Sequence, residues 1–259
     1  ADAVKLIAKE DTVPAEADRL IFLLAPAIVA GTALLMFGVV PFGSDITLWG
    51  QKIPLVISDI NVGLLFVFAL SSLEVYGVTL GGWASNSKFS LLGGIRGAAQ
   101  MISYELALGL SLVPVVMYAR SLSLVDIVNA QEPYPFILVQ PISFVIFFIA
   151  AMAESKRIPF DLPEAENELG AGYHTEYSGM RFGLFFLGEY VHIQVLGALI
   201  AVFFLGGWHG PWLPSWAWEA WIISSLSWAR RFSWVSMVAS ALAMACSTGF
   251  STLELSLMM

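Results

Sequence analysis

The chain has 259 residues, of which 58% are hydrophobic and 12% are charged. A soluble domain typically carries about twice that charged fraction, so the composition excludes an ordinary soluble protein and indicates an integral membrane protein. The net charge of −8 argues against a nucleic-acid partner, which would need a basic face.

The chain begins at Ala1, within the weakly amphipathic stretch ADAVKLIAKED. This stretch lacks the basic start and the apolar run that define a signal peptide. We therefore expect the natural start of the protein to lie upstream of Ala1.

Long apolar runs predict an all-α fold, a polytopic bundle of transmembrane helices. A helix needs roughly 20 mainly apolar residues to cross a bilayer. Five runs meet this need, and two shorter and weaker runs follow them near the C-terminus. The five are Leu20–Val40, Val62–Trp83, Met101–Tyr118, Phe136–Ala153 and Gly183–Trp208, and the weaker two are Trp212–Ala229 and Phe232–Phe250.

The basic residues predict the orientation of the spans, because Lys and Arg concentrate in cytoplasmic loops. With these spans, Lys52 and Arg120 lie on one side of the membrane and the other ten basic residues lie opposite. We therefore expect the Ala1 end and the loops 84–100 and 154–182 to be cytoplasmic. The ten are Lys5, Lys9, Arg19, Lys88, Arg96, Lys156, Arg157, Arg181, Arg230 and Arg231.

Small residues recur at helix-packing spacing in two spans. Gly77 with Gly81, and Gly197 with Ala201, would allow close approach of neighbouring helices. The ordinary frequency of glycine in membrane spans accounts for either pair equally well.

Four acidic residues lie within the predicted spans or at their ends: Glu74, Glu105, Glu154 and Glu189. A charge in hydrocarbon costs roughly 3 kcal/mol or more, so such residues are rare and usually functional. Glu74 is near the middle of its span and the other three are near cytoplasmic ends, which predicts a stepped polar path. Alternatively, each acid is neutral or paired with an arginine and holds helices together.

The loop ESKRIPFDLPEAENELGAGYHTEYSGMRF contains a predicted short helix. Asp161 followed by Glu164 has the spacing of an N-cap with its capping box, and Pro163 suits an early helical position. Gly170 and Gly172 would then end the helix.

The remaining acids of this loop need another explanation. Glu164 and Glu168 form a like-charge pair at i, i+4, which costs about 0.2–0.5 kcal/mol in a helix. The alternatives are a solvated acidic loop and a packed surface, and the interleaved residues favour the packed surface. These residues are Phe160, Leu162, Leu169, Tyr173 and Tyr177.

Residue types that bind metals or nucleotides are sparse in this chain. Cys246 is the single cysteine, so there is no disulfide framework and no CxxC motif. The three histidines, His174, His192 and His209, have no ligand spacing, and the motifs of nucleotide-binding loops and serine hydrolases are absent. We expect the chain to hold no metal, redox centre or nucleotide.

The segment Glu154–Phe182 closely resembles the membrane subunit of bacterial complex I, the proton-translocating NADH:quinone oxidoreductase, that is called the H subunit. Three further segments resemble the same family: ADAVKLIAKED, GWASNSKFSLLGGIRGAAQMISYE from Gly81, and GEYVHIQ from Gly188. Together the matches run from about Ala1 to Trp221 in collinear order.

The resemblance implies an eight-helix protein in the bacterial inner membrane that carries no cofactor of its own. In the family, the cytoplasmic loops complete a quinone cavity (for ubiquinone or menaquinone) beneath an iron–sulfur cluster of a neighbouring protein of the complex. FMN and the iron–sulfur clusters belong to partner subunits of the peripheral arm. The other expected partners are quinone-site subunits, small membrane-arm subunits and the lipid bilayer.

The resemblance also implies roles for individual residues, in three groups. Glu74, Glu105, Glu154 and Glu189 fall on acids of the proton path, and Arg157 falls on a basic position of the coupling loop. The loop acids and the residues near the quinone entrance or cavity complete the prediction. The loop acids are Asp161, Glu164, Glu166, Glu168 and Glu176, and the entrance or cavity residues are Val4, Ile7, Ala8 and Arg96.

The sequence departs from the family at both ends. The family's first membrane helix would lie upstream of Ala1, and after about Trp221 the resemblance stops. We therefore expect a family-like membrane domain over residues 1–221 and a divergent tail, apolar enough to insert in the membrane, over residues 222–259.

Two other functions remain open from the residues alone. The homologous membrane protein of an energy-converting hydrogenase or formate hydrogenlyase would share the fold and the acids but need no quinone, and PFDLPEAENEL followed by YHTEYSGMRF favours the quinone enzyme. A secondary transporter would also place acids in the membrane, although the sequence shows no inverted repeat. A purely structural scaffold leaves the acids unexplained.

Overall fold

The computed structural model describes residues 5–6, 8–43, 45–48, 51–54, 56–157 and 159–209, and at positions 45–48, 51–54, 166 and 167 only the backbone. Four of the described helices are long and apolar enough to cross a membrane. The expectation of an all-α, polytopic membrane protein is confirmed. The two weak spans, Trp212–Ala229 and Phe232–Phe250, lie outside the described residues.

Eight α-helices and two short strands have described bounds, and residues 5, 6 and 8 near the start are helical as well. In chain order they are α1 Arg19–Val39, β1 Asp45–Leu48, β2 Gln51–Pro54, α2 Gly63–Ala84, α3 Lys88–Ala119, α4 Leu124–Asn129, α5 Phe136–Val139, α6 Pro141–Glu154, α7 Glu166–Leu169 and α8 Gly179–Phe204. A 3₁₀ turn, Gly172–His174, lies between α7 and α8.

Helix α3 begins 13 residues before the predicted span Met101–Tyr118, so the boundaries of the predicted loop 84–100 are wrong. Its 32 residues extend about 48 Å at 1.5 Å per residue, more than the hydrocarbon core requires. The early helical turns carry glycines that pack on backbone. A Cβ atom at Gly93 would lie 2.7 Å from the nitrogen of Tyr173, and one at Gly94 3.4 Å from the Cα of Gly82.

The predicted span Phe136–Ala153 is two helices rather than one. Helix α5 ends at Val139 and α6 begins at Pro141, with Gln140 between them at φ −132° and ψ 56°. Proline disfavours the helical conformation in the residue before it, which explains the break. The amide of Gln140 donates a hydrogen bond to the carbonyl of Pro114 at 3.1 Å.

The hairpin of β1 and β2 was not predicted. The strands are antiparallel, with Ile46 opposite Ile53 and Thr47 opposite Lys52. Strands of four residues are too short to produce a clear alternation beside apolar runs of about 20 residues.

The chain divides into two compact units. The first unit comprises the described residues of Ala1–Phe37, Val67–Gly109 and Ile149–His192. Its core is apolar and aromatic: Phe22 stacks on Tyr177 with ring centroids 4.0 Å apart, and Phe185 meets the Tyr177 ring edge-on. The Tyr177 hydroxyl donates a hydrogen bond to the carbonyl of Gly81 at 3.4 Å.

The second unit comprises the described residues of Gly38–Phe66, Leu110–Phe148 and Ile193–Met259. The buried side chain of Gln131 organises its backbone. Its amide nitrogen donates to the carbonyls of Ile127 and Val202, and its oxygen accepts from the amides of Phe136 and Gly206. Four backbone groups are thereby satisfied by one side chain.

Glycines allow close helix contact in the first unit. A Cβ atom at Gly77 of α2 would lie 2.5 Å from Val29 Cγ2 of α1, and one at Gly188 of α8 2.7 Å from Val29 Cγ1. Among the described residues of the second unit, a Cβ atom at Gly197 would meet nothing within 4 Å. The expected packing role is therefore confirmed for Gly77, and for Gly197 it stays a prediction.

The loop between α6 and α8 contains a short helix, as predicted, but its start was predicted wrongly. Helix α7 begins at Glu166, after Ala165, and no side chain caps it. Asp161 and Glu164 belong to an earlier turn, in which the amide of Ala165 donates to the carbonyl of Asp161 at 3.0 Å. The helix ends before Gly170, whose φ of 78° suits glycine, so the predicted stop is confirmed.

Candidate functional site

A buried cluster of ionisable side chains lies in the first unit, where helices α2, α6 and α8 each contribute one member. Glu74 of α2 is 2% exposed, and its two oxygens have different partners. Oε1 is 3.4 Å from Lys156 Nζ, and Oε2 is 2.5 Å from His192 Nδ1. A carboxylate removed from water requires such partners, so this pairing explains how Glu74 remains inside an apolar helix.

Glu154, the last residue of α6, lies on the other side of the same histidine. Its Oε1 is 3.7 Å from His192 Nε2 and accepts a hydrogen bond from the Ser71 hydroxyl. Ser71 precedes Glu74 by three residues on α2, so one face of that helix carries both Glu74 and the hydroxyl that binds Glu154. His192 therefore stands between two buried carboxyl groups, one at each ring nitrogen.

Lys156 reaches the cluster from the loop that follows α6. Its backbone has φ 55°, a left-handed conformation that directs the chain away from the helix axis. The side chain is 2% exposed, and its ammonium nitrogen lies 5.4 Å from the centroid of the Tyr173 ring. The cation is thus enclosed by a carboxylate and an aromatic face.

Arg157 and Glu189 form a second pair beside the cluster. Arg157 Nη2 is 2.9 Å from Glu189 Oε1 without hydrogen-bond geometry, and its guanidinium lies 5.1 Å from the Tyr190 ring centroid. Burial lowers the pKa of Arg157, but the charge of Glu189 and the interaction with Tyr190 outweigh it, so the pKa is raised overall. Arg157 is therefore a permanent cation next to a buried acid.

The loop contributes a third pair, Glu164 with His174. Glu164 Oε1 is 3.4 Å from His174 Nε2, again without hydrogen-bond geometry. Burial raises the pKa of Glu164, but the imidazole of His174 and then the cations Lys156 and Arg157 overcome this effect and lower it. The folded loop therefore favours the ionised carboxylate.

Tyr173 has a fully buried ring and lies close enough to Glu74, Glu164 and Glu189 to feel their charges. Burial raises the pKa of its phenol well above the usual value, and the charges of Glu189, Glu164 and Glu74 raise it further. The hydroxyl therefore stays protonated and can donate a hydrogen bond at any physiological pH.

Glu105 lies in the middle of α3, not near its end, because the helix begins at Lys88. The Ser72 hydroxyl donates to Glu105 Oε1 at 2.5 Å. Ser71 and Ser72 are consecutive, so adjacent hydroxyls of α2 bind Glu154 and Glu105. The predicted path thus has Glu74 and Glu154 at one histidine, Glu105 joined through α2, and Glu189 paired with Arg157.

Arg96, predicted near the quinone path, lies on α3 rather than in a loop. Its Nη1 is 2.7 Å from Glu168 Oε2, in a pair whose side chains are 35% and 65% exposed. This contact joins the start of α3 to α7. An exposed pair of this kind contributes at most about 1 kcal/mol to stability, so its main effect is to position α7 against the start of α3.

The other predicted loop acids are less deeply buried than the cluster or lack a described side chain. The side chains of Asp161 and Glu176 are partly buried, and Glu166 is described only as the first backbone position of α7. Of the predicted entrance residues, Ala8 is exposed, while Val4 and Ile7 lie outside the described residues. The roles of all these residues stay predictions.

Gln100 of α3 holds the end of α6 against the loop. Its amide nitrogen donates to the carbonyls of Ala153 and Phe160, each at 2.7 Å. The first of these carbonyls belongs to the last turn of α6, where it also accepts a hydrogen bond from the amide of Lys156 at 3.3 Å. Gln100 thereby fixes the backbone on both sides of Glu154 and Lys156.

Sequence reasoning missed His192 and Lys156 as members of the site. His192 lies three residues after Glu189 in an apolar span, so the argument that singled out the acids applied equally to it. Lys156 was counted only for topology, although it follows Glu154 by two residues. What the sequence lacked was the contact between α2, α6 and α8 that joins both residues to Glu74.

A metal site is not among the arrangements seen in the described residues, where no group of three His, Cys, Asp or Glu side chains could hold an ion. The cluster instead offers proton donors and acceptors in alternation: carboxyl, imidazole, carboxyl and ammonium. Such an arrangement binds and exchanges protons.

Comparison with known proteins identifies relatives along most of the chain. The sequence model of the family described as NADH dehydrogenase matches residues 1–250. A protein of Syntrophobacter fumaroxidans, named as an H subunit of NADH-quinone oxidoreductase, is 78% identical over 218 residues, which cover 84% of this chain and 66% of that protein. A relative with the same designation from Geobacter metallireducens is 63% identical over 235 residues, 91% of this chain and 71% of its own length.

A third relative, the H subunit of NADH-quinone oxidoreductase from Syntrophotalea carbinolica, is 61% identical over 235 residues. The chain therefore spans about two-thirds of the length of these curated relatives. The expected boundary between a family-like domain and a divergent tail near Trp221 lies outside the described residues and stays a prediction.

Proposed function

Because the chain belongs to the NADH dehydrogenase family, we propose that it acts as the quinone-site membrane subunit of a proton-translocating NADH:quinone oxidoreductase. In this role it carries no redox centre. It forms part of the cavity for the quinone, ubiquinone or menaquinone, while partner subunits carry FMN and the iron–sulfur clusters. Its buried acids couple reduction of the quinone to proton movement.

The observation that carries this proposal is the buried cluster of Glu74, His192, Glu154 and Lys156. All four side chains are at most 4% exposed, although α2, α6 and α8 are strongly apolar helices. Ionisable groups in such surroundings are costly to keep, and they usually mark a path for protons or ions. A purely structural scaffold would be served as well by apolar side chains.

The loop after α6 supplies the coupling element. Lys156 and Arg157 are neighbours in the loop, yet each pairs with a buried acid on a helix, Glu74 and Glu189 respectively. Any charge that appears beside the loop acts on these two cations. At 4 Å and an effective dielectric constant of 20, two unit charges interact by about 4 kcal/mol, which is enough to shift a proton.

Quinone reduction produces such a charge before the quinone takes up protons. A negative charge near the loop attracts Lys156 and Arg157 and so weakens their hold on Glu74 and Glu189. Each acid then favours its protonated form and draws a proton from the next group. After the quinol has formed, Lys156 and Arg157 would pair with Glu74 and Glu189 again, and these acids would then release the proton to the next group in the path.

The proposed setting is the inner membrane of a bacterium. Lys156 and Arg157 of the loop after α6, with Lys88 and Arg96 near the start of α3, would face the cytoplasm because basic residues concentrate on that side. Three segments would then meet the peripheral arm. They are the Ala1 end, the turn between α2 and α3 together with the first turns of α3, and the loop between α6 and α8 that contains α7. The predicted partners of that arm and of the membrane arm follow from this orientation.

Glutamine substitutions test the coupling role of the acids. Glu154→Gln and Glu189→Gln each keep the shape of the side chain but remove the exchangeable proton, so we expect NADH:quinone reductase activity and proton pumping to fall together, by about tenfold or more. Both are measured in membrane vesicles that contain the assembled complex. Glu132→Gln, at an exposed position outside the cluster, is the matched control and should behave as the wild type.

Full activity and unchanged proton stoichiometry in both variants would contradict the proposal. A second experiment identifies the assembly itself. The tagged chain is extracted from its native membrane in mild detergent, and its partners are identified by mass spectrometry. Iron–sulfur and flavin subunits of an NADH dehydrogenase are expected, whereas nickel–iron hydrogenase subunits would support the hydrogenase alternative, and neither set would favour a transporter.

A further inference from the structure

His192 is placed between two buried carboxyl groups in a way that a purely structural histidine does not require. Its Nδ1 is 2.5 Å from Glu74 Oε2, and its Nε2 is 3.7 Å from Glu154 Oε1. The side chain is 3% exposed, so bulk water does not compete for either nitrogen. One bond to Glu74 would suffice to hold α8 against α2, yet the second nitrogen also faces an acid.

We propose that His192 is a proton-relay residue that passes a proton from Glu154 to Glu74 and back. The inference rests on the proposed function, because it concerns the route by which the buried acids exchange protons. Imidazole suits this task, since one ring nitrogen can accept a proton while the other releases one.

The relay step moves one proton through two bonds that break and two that form. The neutral ring begins with its proton on Nδ1, shared with ionised Glu74, while Glu154 is protonated. The O–H bond of Glu154 breaks as an Nε2–H bond forms, and the Nδ1–H bond then breaks as an O–H bond forms at Glu74. One proton has moved, Glu154 is ionised, and the ring is left as its Nε2–H tautomer. The reverse transfer restores the Nδ1–H form, because the O–H bond of Glu74 breaks as an Nδ1–H bond forms and the Nε2–H bond breaks as an O–H bond forms at Glu154.

The two gaps differ, and the difference gives the relay a gate. The contact with Glu74 has hydrogen-bond length, whereas Nε2 and Glu154 must approach by about 0.8 Å before a proton can pass. Glu154 is the last residue of α6, directly before the loop that carries Lys156. A small movement of this loop can therefore open or close the exchange.

The charged groups around the ring set the direction of transfer. Glu74 faces it from α2, Glu154 from α6, and Lys156 binds the far oxygen of Glu74 from the loop. While Lys156 is in place it favours ionised Glu74 and keeps the proton on His192. When Lys156 withdraws, Glu74 becomes the better acceptor, and the proton moves on.

Substitution of His192 by asparagine separates relay from structure. Asparagine retains an N–H donor for Glu74 but cannot accept and release a proton, so His192→Asn preserves a structural role and abolishes the relay. In the assembled complex we expect proton-coupled quinone reduction to fall by about tenfold or more, with the thermal midpoint of the complex nearly unchanged. His209→Asn, a histidine of the second unit, is the matched control and should leave the rate unchanged.

A rate and proton stoichiometry in His192→Asn equal to those of the wild type would overturn the relay. A wild-type complex that does not couple quinone reduction to pumping would instead contradict the proposed function, so the two failures are distinguishable. If the variant does not assemble, infrared difference spectra of the wild-type complex decide the question. Labelling histidine rings with ¹⁵N should shift a band that appears on quinone reduction, and the absence of any histidine band would refute the proposal.

Discussion

Lys156 illustrates how a single residue can tie a loop to the interior of a membrane helix bundle. Its ammonium is buried between Glu74 and the ring of Tyr173, and its backbone occupies the left-handed region that a non-glycine residue adopts with strain. A buried ion pair is weak as a source of stability, but removal of one partner leaves an uncompensated charge. Substitution of Lys156 is therefore expected to lower the stability of the protein strongly.

The buried and exposed pairs of this protein should respond very differently to the same substitution. Lys156→Met leaves Glu74 with His192 alone, and we expect a loss of about 3–5 kcal/mol in the free energy of unfolding. Arg96→Met breaks the exposed pair with Glu168 and should cost about 1 kcal/mol or less. Thermal midpoints of the purified complexes measure both effects, and equal midpoints for the two variants would contradict this assignment.

At the scale of elements, the loop between α6 and α8 is held by side-chain contacts rather than by regular structure. Its described helix, α7, has four residues, and the 3₁₀ turn has three. Two of these contacts are the amide of Gln100 on the carbonyls of Ala153 and Phe160, near the start of the loop, and the pair of Glu164 with His174 farther along it. Such a loop can shift when a charge changes nearby, without unfolding a helix.

The lowered pKa of Glu164 gives this loop a defined dependence on pH. Because folding lowers the pKa from about 4.5, the ionised carboxylate stabilises the folded state above that pH, and the contribution disappears as pH falls through the lowered value. We expect Glu164→Gln to lower the thermal midpoint at pH 7, and the difference from the wild type to shrink below pH 4.5.

The control for this prediction is Glu168→Gln, since the Glu168 side chain is 65% exposed and its change should matter little at any pH. The measurement is a series of thermal midpoints of the purified complex from pH 7 downward. A difference between Glu164→Gln and the wild type that stays constant across the series would argue against the ionised, paired carboxylate.

The elements that were predicted well and badly differ in a physical way. Helices α1 and α2 begin and end within one residue of the predicted spans, because their boundaries follow the change from apolar to polar residues. The early turns of α3 contain glycines, a lysine and an arginine, and hydropathy places them in a loop. They are helical because Gly93, Gly94 and Gly97 allow backbone and Pro163 to pack closely on them.

At the scale of the whole molecule, the property to be tested is the orientation of the helices in the membrane. The basic residues predict that the turn between α2 and α3 faces the cytoplasm and that the segment after α4 faces the other side. The predicted alternation uses the four membrane-length helices and requires the shorter α6 to cross between α3 and α8. The prediction is open to direct labelling.

Single cysteines introduced into a Cys246→Ser background, which has no other cysteine in this chain, provide the test. A membrane-impermeant maleimide should label Glu132→Cys in spheroplasts. It should label Lys88→Cys only in inverted membrane vesicles from which the peripheral subunits have been removed. Both native residues are exposed, so access is not limited by the chain's own packing. The reverse pattern would invert the proposed topology.

The sequence by itself determined the class of the protein, the membrane spans of α1, α2 and α8, the presence of four acids in or beside the spans, and the family. Hydropathy, charge and long motifs are local properties of the chain. Only the tertiary structure decided that His192 bridges Glu74 and Glu154, that Lys156 returns from the loop to Glu74, and that α3 continues to Lys88. The physical reason is that these outcomes depend on contacts between residues distant in the sequence or on close backbone packing, which no local pattern encodes. Glu154 and His192 are 38 positions apart, and the two partners of Glu74 are 82 and 118 positions away from it.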